Sequence, residues 1–142
     1  MKRFGLFVVL LLLPDAAMAR CAPFDFFASV GKIPIVVHAR VTQSNKDSLL
    51  AAQCGPAPCR HRFTADVVEV LKGKTAETRL AFDYDYAGQR PNIALFAPGE
   101  DYVFAVSGIA AGGQATLVGT TCGRSGLDVK NLDRIKRALK RP

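Results

Sequence analysis

Histidine is nearly missing from this chain, with only His38 and His61 present. Nucleophilic catalysis usually sets a base, most often histidine, beside its nucleophile, and no nucleophile motif surrounds either residue. A phosphate-cradling P-loop, a dinucleotide-binding glycine pattern and an H-E-x-x-H zinc motif are also lacking. Nothing in the sequence therefore calls for an enzyme or a cofactor. Beyond the first residues there is no apolar run that could cross a hydrocarbon core of about 30 Å, which takes about 20 helical residues. No internal repeat or low-complexity segment is visible.

What is present begins with an export signal. Met1-Lys2-Arg3 is basic, Phe4 to Leu13 is apolar apart from Gly5, and Ala17-Met18-Ala19 has the small-x-small pattern read by signal peptidase. Residues 1–19 are thus expected to leave, and residues 20–142 to form a single domain with one core. Arg20 sits where a bacterial lipobox has a small residue, so lipid attachment at Cys21 is not expected. The predicted location is periplasmic or secreted. Without the signal the chain carries 17 basic and 11 acidic residues, a net charge of +6. That surplus favours an anionic partner. Much of it falls in one C-terminal segment, at Arg134, Lys136, Arg137, Lys140 and Arg141.

Hydrophobic periodicity predicts a mainly β domain. Ile35, Val37, Ala39 and Val41 alternate with Val36, His38, Arg40 and Thr42, which predicts a strand with one buried and one largely exposed face. Thr42 to Arg60 lacks periodicity and reads as a loop, broken by Gly55, Pro56 and Pro58. Arg62–Leu71 is a second strand; Val68 and Val70 lie off the Phe63/Ala65/Val67 face, which implies a bulge or burial on both faces. Arg79–Tyr86 is a third, Tyr102 to Val106 a fourth after the Pro98-Gly99 turn, and Ala115 to Thr121 a fifth beyond a Gly112-Gly113 hairpin tip. Leu132, Ile135 and Leu139 change to helical spacing, with Asp128 or Asn131 as possible caps. Five strands followed by one helix suggest a small antiparallel barrel or sandwich, and a five-stranded Greek-key barrel with a C-terminal helix satisfies the count and hides most strand edges.

Four cysteines, Cys21, Cys54, Cys59 and Cys122, allow three pairings. Cys54 and Cys59 bracket a short proline-containing loop and can close it locally. Cys21 and Cys122 would then tie the mature N-terminus to the end of the fifth strand, a closure worth about 4.7 kcal/mol in the loop-entropy model. Metal binding is the rival reading, since Cys54, Cys59 and His61 form C-x4-C-x-H and zinc accepts thiolate and imidazole. It lacks a fourth ligand, because His38 is placed on the outer face of its strand. Asp83 and Asp85 share one strand face about 7 Å apart, as paired acids or as plain solvated charge.

The order of several motifs resembles the tissue inhibitor of metalloproteinases and netrin-module family, in its small bacterial secreted form. The carrying residues are the opening Cys21, the strand Ile35–Val41, the strand ending Val70-Leu71-Lys72-Gly73, the stretch Pro98-Gly99-Glu100-Asp101-Tyr102-Val103-Phe104-Ala105, and Thr121-Cys122 before a short helix. The resemblance implies an OB-fold barrel with its N-terminal cysteine bonded toward the C-terminal part. Animal members inhibit proteases through the amine and carbonyl of the first cysteine; here only Cys21 corresponds, preceded by Arg20 and followed by Ala22-Pro23 instead of a second cysteine. The leading functional expectation is therefore a non-enzymatic binding domain for a protein or an anionic polymer. Its surface is expected near Cys21, Ala22 and Pro23 and the loops around 54–59 and 88–98. Protease inhibition through Cys21 and metal binding through Cys54, Cys59 and His61 are the alternatives. Nucleic acid is not expected, because export weighs against it and Phe82, Tyr84 and Tyr86 are as easily explained by strand packing.

Overall fold

The computed structural model describes residues 25–51, 59–86, 95–118 and 126–141. A single turn of helix, α1 (Phe26–Ser29), opens this part, and the Asp25 carboxylate accepts the Ala28 N–H at its start. Then follow β1 (Ile35–Ser44), a short helix α2 (Lys46–Ala51), β2 (Cys59–Lys72), β3 (Arg79–Tyr86), β4 (Asp101–Ile109), β5 (Gln114–Leu117) and β6 (Gly126–Asp128). A 3-10 turn at Val129–Asn131 leads into α3 (Leu132–Leu139).

The strands run in the order β1-β2-β3-β5-β4-β6, and β1 also pairs with β4. The first five therefore close into a barrel of mixed sense: β3 and β5 are parallel through Ala81–Gln114 and Phe82–Ala115, and all other neighbours are antiparallel. This is the OB-like arrangement with its C-terminal helix. Strand β6 adds to β4 outside the ring. Among the described residues, no helix is long and apolar enough to cross a membrane.

Side chains fill the barrel. Val37, Ala39 and Val41 from β1, Phe63 and Ala65 from β2, Leu80, Phe82 and Tyr84 from β3, Phe104 and Val106 from β4, and Ala115 and Leu117 from β5 are all buried there, with Phe96 added from the segment before β4. Phe63 lies at the centre, its ring centroid 4.6 Å from Phe82, 5.0 Å from Phe96 and 5.4 Å from Phe104. These are offset and tilted geometries that aromatic quadrupoles favour.

A second core lies outside the barrel wall. Val36 of β1 and Val103 and Ala105 of β4 point outward and are covered by Phe26, Val30 and Ile33 at the N-terminal end and Ile135 of α3. This corrects the expectation that β1 has one largely exposed face: Val36, Val37, His38 and Ala39 are buried in succession, Val37 and Ala39 inside the barrel, Val36 in the outer core and His38 beside Asp101. His38, expected on open surface, is only 8% exposed.

Other elements differ in extent. The segment expected as loop from Thr42 to Arg60 contains α2, and β2 begins three residues earlier than predicted. Register shifts in the β1–β2 pairing supply the bulge; burial on both faces is not found, since Val68 is 57% exposed. Strand β5 ends at Leu117. Neither Asp128 nor Asn131 caps a helix with its side chain. The Gly112-Gly113 tip forms as expected, both residues at positive φ, with Ala110 N–H donating to Gln114 O at 2.8 Å.

Candidate functional site

Of the cysteines, Cys59 falls within the described residues, at the first position of β2, and it is disulfide-bonded. Cys21, Ala22, Pro23, Cys54 and Cys122 lie outside the described residues, as does most of the 88–98 loop. His61, two residues on, is fully buried. Its Nε2 accepts the Phe96 N–H at 3.1 Å, so that nitrogen carries no proton. The neutral ring is therefore protonated at Nδ1, which donates to Asn45 Oδ1 at 2.9 Å. Asn45 Oδ1 also takes the Arg62 N–H, and its Nδ2 donates to Arg60 O. With both ring nitrogens committed to hydrogen bonds and Cys59 oxidised, His61 ties the β1–α2 junction to β2 and to the segment before β4. Burial, aided by the nearby Lys46 ammonium, pushes its pKa down to about 4.

The Asp83–Asp85 pair is answered by its partner strand. Arg60 donates Nε to Asp83 at 2.8 Å and Nη1 to Asp85 at 3.0 Å, and Arg62 Nε lies 3.6 Å from Asp83. Arg60 lies directly opposite Asp85 and Arg62 opposite Asp83, with Arg60–Asp83 the diagonal contact, and opposite charges so placed stabilise a sheet. Elsewhere on the barrel Arg79 pairs with Asp66, and Asp101 accepts from Arg40 at 2.5 Å and contacts His38 Nε2 at 3.0 Å. The hydrogen bond from Arg40, with help from His38, holds the Asp101 carboxyl below the usual carboxylate range.

Every described arginine of the barrel thus has an aspartate partner. The arginines of the C-terminal segment differ. Arg134, Arg137 and Arg141 form no ion pair with any described carboxylate. They sit three and seven residues apart, on one face of α3 and its end. Together with Phe27, Val30, Gly31 and Ala138 they line a recess of about 450 Å³ between α1 and α3. The Arg134 guanidinium stacks over the Phe27 ring at 3.8 Å from its centroid. Lys72 Nζ donates to Val30 O at 2.9 Å and to Gly31 O at 3.0 Å. The basic residues themselves were visible in the sequence. Their convergence on Phe27 and Gly31, more than a hundred residues away, was not.

Comparison with models of known protein families gives no match, and comparison with curated proteins gives none either.

Proposed function

We propose that this chain is an exported, non-enzymatic binding domain of the netrin-like and metalloproteinase-inhibitor-like type. In this reading disulfides Cys21–Cys122 and Cys54–Cys59 brace it, and its outer surface engages an anionic partner, a polymer before a protein. One observation carries the reading. The barrel interior is packed with side chains, so recognition falls to the outside, and there the arginines without partners converge on one recess. Barrel arginines neutralised by aspartates have little to offer an incoming anion; unpaired guanidiniums keep their full hydrogen-bonding fork.

The test takes the exported protein and its immobilised form. Saturable retention of anionic polymer or exported protein, competed by free domain and weakened by salt, is the expected result. Failure of every exported fraction and every polyanion to bind saturably would end the binding-domain reading.

A further inference from the structure

We propose that the recess between α1 and α3 is a binding site for a phosphate-type oxyanion, taken up through Arg134, Arg137 and Arg141. This inference refines the anionic-partner reading above and rests on it.

Ordinary helix energetics accounts for part of this charge. Cations in the last turn of a helix interact favourably with its free carbonyl end, so basic residues near Leu139 need no ligand. That does not account for the rest. Arg134 lies in the first turn of α3, where a cation is unfavourable, yet it is held against Phe27 of a different helix. Stacking on a ring fixes the plane of a guanidinium and leaves its N–H rim free for hydrogen bonding.

The opposite wall is shaped to stay open. A Cβ built on Gly31 meets nothing within 4 Å, so the glycine faces free space and not packed atoms. Lys72 donates to the Val30 and Gly31 carbonyls, which satisfies those two acceptors and fixes the backbone of this wall. Three unpaired guanidiniums match a doubly charged tetrahedral anion, whose several oxygens take more than one arginine fork. A volume of about 450 Å³ leaves room for the group to which a phosphate is attached.

The experiment follows backbone amide shifts of the full exported domain by NMR in three arms. These are inorganic phosphate, a linear polyphosphate, and vesicles of phosphatidylglycerol against phosphatidylcholine. Expected are saturable shifts from inorganic phosphate confined to residues 26–31 and 132–141. The apparent Kd should rise at least tenfold in the double variant Arg137→Gln, Arg141→Gln. It should rise similarly in Gly31→Leu, which fills the recess without changing charge, and should stay unchanged in Arg62→Gln. Tighter polyphosphate binding that Gly31→Leu abolishes would make a polymer the source of the phosphate, and vesicle binding so abolished would make it a headgroup. The proposal is overturned by absent or dispersed shifts with inorganic phosphate, or by polymer or vesicle binding that survives Gly31→Leu. In the last case the surface binds anions by charge alone, and the binding-domain reading stands without the recess.

Discussion

His61 takes the backbone N–H of Phe96 onto its Nε2 at 3.1 Å, and this single bond fixes the protonation of a buried ring. A proton arriving at Nε2 would break that bond and place a charge where no water reaches. The folded protein therefore binds this proton far less readily than the unfolded chain does.

The consequence is an acid sensitivity centred on one residue. The folded pKa, about 4, lies below the unfolded value of 6.5. The contribution of His61 is thus fully present above pH 6.5 and is lost as pH falls toward 4. Over that window stability should fall with a slope approaching about 1.4 kcal/mol per pH unit from this group. Urea unfolding at pH 7, 5.5 and 4 measures it. In His61→Phe, which cannot titrate, the pH 5.5 to 4 portion of the loss should be reduced; an unchanged profile would place the acid sensitivity elsewhere.

Asn45 holds three partners, so Asn45→Ala should cost more than an ordinary surface change. It removes the acceptor for His61 Nδ1–H and Arg62 N–H and the donor to Arg60 O. With each bond worth about 1 kcal/mol net, a loss of about 2–3 kcal/mol is expected in the denaturant midpoint.

Gly113 and Gly99 both hold positive φ, +82° and +83°, but in different surroundings. A Cβ at Gly99 meets nothing, so Gly99→Ala should cost about 1–2 kcal/mol from backbone strain alone. A Cβ at Gly113 collides with the Arg79 carbonyl, beside the Gly113 O to Ala81 N–H bond of 2.9 Å that joins β5 to β3. Gly113→Ala should therefore cost clearly more than Gly99→Ala in parallel thermal melts, and equal losses would contradict this closure of the barrel.

The outer core predicts that α3 is integral to the domain. Ile135 is fully buried against Val36, Val103 and Ala105. Ile135→Ala should destabilise by about 2–5 kcal/mol, whereas the exposed Asp133→Ala should change the midpoint little.

Strand β3 is readable to the residue from sequence, because Leu80, Phe82 and Tyr84 alternate with charged or small neighbours over its full length. The helical spacing of Leu132, Ile135 and Leu139 likewise names the packed face of α3. What escapes is short or covered. Helix α1 has four residues and β6 three, too few for either period to register. Alternation correctly turns His38 away from the barrel interior, but it carries no information about a roof built from α1 and α3. The apolar Val36, Val103 and Ala105 on that outer side were the available sign of a second core. For the same reason the sequence shows Arg134, Arg137 and Arg141 as basic charge near the C-terminal end, but not that the fold sets Phe27 and Gly31 opposite them.

Export and the clamping of the domain by oxidised cysteines meet their sharpest test in intact mass spectrometry of the native, non-reduced protein recovered outside the cytoplasm. The predicted species is residues 20–142 lacking all four thiol hydrogens, with peptides linking Cys21 to Cys122 and Cys54 to Cys59. A chain that keeps residues 1–19, or that reacts through Cys21 and Cys122 as free thiols while folded, would contradict it.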